Sequence, residues 1–265
     1  MEQYLNAPVK EVITKFPKIW KILEEYEIGC VPCSVGSCLL KDVVDIHNLP
    51  DEEVNELMAR ISQEIYPGQK VEIPRSNRTR KARSRELTYS TPMKRLVDEH
   101  VLIKRWIALI PHVLETFDLH SSEDRQIITD GVYFIRSYAD RFHHAKEEDI
   151  LFKYYDETSD IIKTMLDDHV EGRGHAKATL EALEKKDRRG VVDHLMAYRE
   201  LLTEHIKKED EILYPWMDRE LSVKQVGELF SKFNDADDGA DHEGIKRCEK
   251  FVLEVEKKFR KEDAT

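Results

Sequence analysis

From Pro92 onward, apolar residues recur at spacings of three and four, the period of helices that bury one face. Leu96, His100, Ile103, Ile107, Ile110 and Leu114 share a face of a helix predicted over 92–118, which Pro111 is expected to kink locally. The next, predicted over 122–155, aligns Ile128, Val132, Ile135, Ala139, Phe142, His143 and Ile150. A third, over 159–185, aligns Ile162, Met165, Leu166, His169, Ala176, Leu180 and Leu183. A fourth, over 189–219, aligns Leu195, Tyr198, Leu202, His205, Glu209, Ile212 and Trp216. Two shorter helices follow near 222–233 and 240–261, and turn residues mark the breaks: Ser121-Ser122, Thr158-Ser159, Lys186 to Gly190 and Asp235 to Gly239. No segment alternates as a strand would. Four long helices with short connections predict an all-α, up-down-up-down four-helix bundle.

Ahead of the bundle the pattern is shorter. Asn6 is a candidate helix cap with Pro8 in the first turn, Lys18 to Tyr26 and Asp51 to Glu64 read as helices, and Gly29 ends the first of these. Residues 66–91 carry few large apolar side chains and a basic run, Arg75, Arg78, Arg80, Lys81, Arg83 and Arg85, and read as a linker, either a solvated tether or a segment that docks on an acidic surface. The expected organisation is a small helical module over 1–65, this basic linker, the bundle over 92–220 and a helical extension over 221–265. In the extension, Phe230, Phe233, Phe251, Val255 and Phe259 are expected to pack on the bundle or on a second subunit, and Asp241 to cap the helix that begins near His242 and Glu243.

The polar residues inside the apolar stripes change the picture. Each long helix places one histidine inward: His100, His143, His169 and His205. A ten-residue string occurs twice, HHAKEEDILF at 143–152 and HIKKEDEILY at 205–214, and each copy sets a glutamate four residues after its first histidine, on the same helical face. HHAKEE offers two such pairs. The second copy and the α-helical stripe both select His143 with Glu147, and leave His144 and Glu148 pointing away. VDEHV around His100 echoes LDDHV around His169. One buried histidine is ordinary core, but two buried carboxylates beside four imidazoles would be costly unless a cation offsets them. This donor set, without thiolate, suits two ions with bridging carboxylates, and iron or manganese rather than structural zinc.

The pattern H…HxxxE…H…HxxxE over about 92–220 resembles the hemerythrin family, the HHE cation-binding domains. The resemblance implies an oxo- or hydroxo-bridged di-iron centre, manganese being the alternative metal, with His100, His143, Glu147, His169, His205 and Glu209 as ligands. Oxygen-carrying members have a second histidine one turn after the third-helix ligand, where this chain has Arg173. The six-ligand pattern is instead similar to di-iron proteins that repair iron–sulfur centres and carry a cysteine-containing N-terminal domain. Arg173 could bond a bridging carboxylate or a bound anion, or form a salt bridge at the rim of the core; Tyr198 could donate to a ligand, or serve as an ordinary core tyrosine.

Cys30, Cys33 and Cys38 lie in GCVPCSVGSC, a spacing open to redox cycling, to metal binding with His47, or to simple burial, while Cys248 reads as structural. The net charge of −11 argues against nucleic-acid binding. No apolar run has the length of a membrane span and no signal-peptide pattern opens the chain, so the cytoplasm is the expected location. Three functions are consistent with these residues: a stress-response di-iron protein that handles dioxygen, nitric oxide or iron, with iron–sulfur proteins as partners; a reversible oxygen or nitric oxide store or sensor; and a peroxide or nitric oxide reductase. On this reading His205→Ala lowers metal content and His144→Ala leaves it nearly unchanged.

Overall fold

A computed structural model of the chain describes residues 2–26, 28, 39–41, 43–46, 49, 51–68 and 89–262. The expectations for Cys30, Cys33, Cys38, His47 and most of the basic linker lie outside the described residues. Among those residues the secondary structure is helical, with one isolated antiparallel bridge between Pro8 and Leu39. No helix among them is long and apolar enough to cross a membrane.

The helices are α1 (Glu2–Leu5), α2 (Val9–Lys15), α3 (Lys18–Glu25), α4 (Val43–Ile46), α5 (Asp51–Ile65), α6 (Thr91–Thr116), α7 (Ser122–Phe134), α8 (Asp160–Glu184), α9 (Arg188–Lys208), α10 (Tyr214–Glu220), α11 (Val223–Asp238) and α12 (His242–Glu262). Chain contacts divide them into two compact units, one formed by 1–95 with 214–235, the other by 96–213 with 236–265. In the first unit, Val9, Val12, Ile19, Leu23, Leu40, Leu57 and Ile61 form a small apolar core. Pro8, not Asn6, occupies the cap position of α2, and it makes no side-chain cap bond. Asn6 Oδ1 instead accepts from Lys41 Nζ at 3.0 Å.

The second unit holds the bundle. α6 runs through Pro111 as one helix. Ser121 caps α7 by accepting from the Asp124 amide at 3.2 Å, Asp187 caps α9 through Gly190 N at 3.0 Å, and Asp241 caps α12 through Gly244 N at 3.0 Å. Trp106 of α6 is fully buried against α7 at Gly131, where a Cβ would lie 2.3 Å from Trp106 Cζ2. Only glycine leaves room for the indole. α12 completes this core: Phe251, Val252 and Val255 are buried, the Phe251 ring lies 5.0 Å from that of Trp106, and Arg105 grips Glu256 with two bonds of 2.8 and 2.9 Å. The C-terminal extension therefore supplies part of the bundle's core.

Three π-helical segments depart from α-helical winding and position the site. After Phe134 the helix continues as π-helix over Ile135–His144 and again over Glu147–Leu151, and α9 passes into a π segment at Glu209–Leu213. A π-helix takes more residues per turn than an α-helix, so each residue is rotated by less than the roughly 100° of the α form. The stripe predicted at that angle is displaced beyond these points. Ile212 and Trp216, predicted inward, are 58% and 37% exposed, and Leu213 and Tyr214 are buried in their place. Leu151 and Phe152 are likewise buried where Ile150 was expected. The two copies of the repeat share this displaced register.

Candidate metal centre

The six residues singled out by spacing, His100 on α6, His143 and Glu147 in the π segments, His169 on α8, His205 on α9 and Glu209 at the third π segment, are all at most 2% exposed. They fall into two groups. One comprises His100, His143 and Glu209; the other comprises Glu147, His169, His205 and also His144, with ligand atoms in each group within 4.8 Å of one another. Glu209 faces both groups: Oε2 lies 3.3 Å from His100 Nε2 and Oε1 3.1 Å from His205 Nε2. Glu147 Oε2 does the same, 3.8 Å from His143 Nε2 and 3.5 Å from His169 Nε2. Across the cluster, His169 Nε2 and His205 Nε2 are 3.1 Å apart.

These donors fit a metal. Nε2 of His143 and both carboxylate oxygens of Glu209 are buried and make no hydrogen bond of acceptable geometry. Buried polar atoms left this way are costly, and a cation at their convergence offsets that cost. All the donors are nitrogen and oxygen, and each carboxylate lies near histidines of both groups.

A ring of supporting carboxylates surrounds the donors. His143 Nδ1 is 2.8 Å from Glu99 Oε2, His169 Nδ1 is 2.7 Å from Glu148 Oε1, His205 Nδ1 is 3.2 Å from Asp168 Oδ2, and His100 Nδ1 is 2.8 Å from Asp210 Oδ1. An ionised carboxylate only accepts, so each Nδ1–H donates, and in the neutral ring Nε2 turns its lone pair inward. Every one of these acids adjoins a candidate ligand in sequence but serves the histidine of another segment. Glu99 precedes His100 and holds His143; Glu148 follows Glu147 and holds His169; Asp168 precedes His169 and holds His205; Asp210 follows Glu209 and holds His100. The four bonds close a circuit around the bundle. Each acid also meets a cation: Glu99 binds Lys146, Asp210 binds Lys104, Glu148 accepts from Arg173 Nη1 at 2.9 Å, and Asp168 accepts from Lys208 Nζ at 3.0 Å. Spacing alone did not reveal this circuit. Its sequence signal is the acid beside His100, Glu147, His169 and Glu209 in DEH, EE, DDH and ED.

The electrostatics follow from that wiring. Burial pushes the Asp168 and Asp210 carboxyls up, but the bonds from His205 and Lys208, and from His100 and Lys104, outweigh it and hold both below the usual range. The bond from His169, then that from Arg173, does the same for Glu148. Burial, reinforced by His100, pushes His143 down to about 4 against the pull of Glu99. Burial also lowers His205 and raises Glu209, yet their mutual attraction prevails: His205 rises to about 9 and Glu209 falls well below its usual value.

At pH 7 the metal-free protein therefore carries a proton on His205 that an incoming cation must displace. Metal uptake is expected to release protons and to weaken as the pH falls below about 9, the region where His205 becomes protonated. Potentiometric titration with Fe(II) or Co(II) in unbuffered solution measures this. Uptake that is independent of pH between 6.5 and 9 would contradict it.

Two expectations need revision. His144 does not point away; the π winding turns both it and His143 inward, and it is 5% exposed. Glu148, also read as outward, is partly buried and bonded to His169. Of the two roles open to Arg173, the structure shows the salt bridge at the rim of the core: its Nη1 donates to Asp140 at 2.8 Å and to Glu148, which steadies His169 indirectly. Tyr198 is buried with its ring near Gly172, and its hydroxyl makes no hydrogen bond to a site residue. Burial raises the Tyr198 hydroxyl's pKa and keeps it protonated.

Residues 91–217 match the family model of the hemerythrin HHE cation binding domain. Searches of curated proteins and of solved structures return no match.

Proposed function

Because residues 91–217 belong to the hemerythrin HHE cation-binding family, we propose that the buried cluster holds a pair of iron ions that handle dioxygen or nitric oxide in a response to oxidative or nitrosative stress. The observation that carries this reading is the placement of Glu209, one oxygen toward His100 and the other toward His205. His100 and His143 would hold one ion and His169 and His205 the other, with Glu147 and Glu209 spanning the two. Iron so bound supplies redox and Lewis-acid chemistry toward small diatomic ligands.

The chain's own residues do the rest. The carboxylate behind each imidazole fixes its ring and strengthens it as a donor. The burial of the cluster keeps bulk water from its donors. The stress assignment is supported by the six-ligand pattern that resembles iron–sulfur repair proteins; a direct part in repair would also draw on Cys30, Cys33 and Cys38.

Anaerobic purification, iron analysis and optical spectra after separate additions of dioxygen, nitric oxide and peroxide test the proposal. About two irons per chain, with spectra that respond to dioxygen or nitric oxide, are expected from this donor set. Absence of any bound transition metal overturns it. A stable, reversible dioxygen band would reassign the protein as a store or sensor, and catalytic consumption of peroxide or nitric oxide as a reductase. Iron transfer to a damaged cluster protein would support repair.

A further inference from the structure

His144 has no counterpart in the second copy of the repeat, where a buried isoleucine, Ile206, follows His205. Only one of the two groups of donors therefore has a further imidazole beside it. One ring nitrogen of His144 lies within 4.8 Å of the ligand atoms of Glu147, His169 and His205. That nearness does not make it a ligand. The ring is stacked on His169, with centroids 3.9 Å apart and planes 11° from parallel. An imidazole lone pair lies in the plane of its own ring, so two parallel rings cannot both aim at one ion. The rings of His169 and His205, inclined at 64°, can converge on one. The plane of His144 is displaced to one side of theirs, and its nitrogen faces the space where a further small ligand of that ion would stand.

The placement of its proton also sets His144 apart. In His100, His143, His169 and His205 an acid holds Nδ1–H, so the inward nitrogen has only a lone pair to offer. Those rings can hold a cation, but they cannot donate to a molecule bound beside it. His144 makes no hydrogen bond to another described residue. Its Nδ1 is 4.0 Å from Asp140 Oδ1, beyond hydrogen-bond distance, and that oxygen already accepts from Arg173 Nη1 at 2.8 Å. No partner fixes its tautomer. An imidazole always carries at least one N–H, and here the inward nitrogen is free to hold it.

We infer that His144 donates a hydrogen bond to a small anionic or polarised diatomic ligand bound at the ion held by His169 and His205, which makes that ion, and not its neighbour, the one that takes up such ligands. The inference rests on the metal-pair reading above. The competing role is a stacked spacer that touches no ligand. An aromatic ring without nitrogen and a side chain with an N–H but no ring separate the two.

The full-length chain is stripped of metal with a chelator and loaded anaerobically with Co(II), comparing wild type, His144→Phe and His144→Gln. Cobalt per chain is measured, far-UV circular dichroism follows the fold, and azide is titrated against the visible absorption of bound Co(II). His144→Phe keeps a ring against His169 and removes the N–H; His144→Gln keeps an N–H and removes the ring. Both variants are expected to hold as much cobalt as the wild type. His144→Phe is expected to bind azide about tenfold or more weakly, the worth of a hydrogen bond to a charged group, and His144→Gln to lie closer to the wild type. Wild-type azide affinity in His144→Phe would overturn the inference. Equal weakening in both variants would also overturn it, by assigning the loss to the stack, and so would loss of a cobalt equivalent from His144→Phe. A wild type that holds cobalt but takes up no azide would overturn it while leaving the metal-pair reading intact. Failure of the wild type to bind Co(II) would remove that reading and the inference with it. If His144→Phe loses its helical signal, His144→Leu takes its place against the same outcomes.

Discussion

If the cluster holds the proposed metal pair, Glu209→Gln is expected to cost the protein both metal equivalents, not one. The side chain is fully buried, with Oε2 3.3 Å from His100 Nε2 and Oε1 3.1 Å from His205 Nε2, so one residue serves both groups of donors. Glutamine keeps the shape and removes the charge that offsets two cations. An amide oxygen is a far weaker ligand for a divalent ion, and its NH₂ group would face an imidazole lone pair or a metal. Loss of a supporting residue alone costs metal sites about 10- to 100-fold in affinity, so loss of the bridging anion is expected to exceed about 100-fold for each ion. Metal analysis after dialysis, with circular dichroism to confirm that the helices remain, provides the measurement. Retention of one equivalent at wild-type affinity would mean that Glu209 serves a single ion.

The second large effect concerns a supporting cation. Lys146 is 2% exposed, binds Glu99, donates to Asp237 Oδ1 at 2.9 Å and lies 3.6 Å over the ring of Phe142. Lys146→Met removes the charge and leaves the largely buried Glu99 carboxylate with only the His143 N–H. Breaking a buried pair in this way costs about 3–5 kcal/mol. Lys104 occupies the matching place behind Asp210, but its side chain is half exposed. Water and salt screen that pair, so Lys104→Met is expected to cost about 0–1 kcal/mol. Urea unfolding of the two variants side by side tests the contrast. Equal, small shifts would show that Glu99 is solvated in the folded protein. Because Asp237 belongs to α11, Asp237→Asn is expected to act in the same direction as Lys146→Met, through the same lysine.

Much of the architecture was legible from spacing. Four helices, their breaks, the cap at Asp241, and the inward faces of His100, His143, His169 and His205 follow from the period of apolar residues and from short-range turn chemistry. Both are local properties. The misreadings share one cause. Inward and outward were assigned at the α-helical angle, and the π segments at Ile135–His144, Glu147–Leu151 and Glu209–Leu213 wind differently. That difference brought His144 into the core and placed Leu213 and Tyr214 where Ile212 and Trp216 were expected. The Asn6 cap failed for another reason: the side chain found a partner, Lys41, thirty-five residues away.

The sequence by itself pointed to four imidazoles and two carboxylates in the interior of a helical bundle, because their spacing follows the apolar period and a cation would offset the cost of burying them. The tertiary structure decided how they are wired. Glu99 reaches His143, Glu148 reaches His169, Asp168 reaches His205 and Asp210 reaches His100. Each acid lies beside one ligand in the chain and supports another across a helix interface. Such pairings depend on which helices are neighbours and how each is rotated, and neither is a property of any single segment.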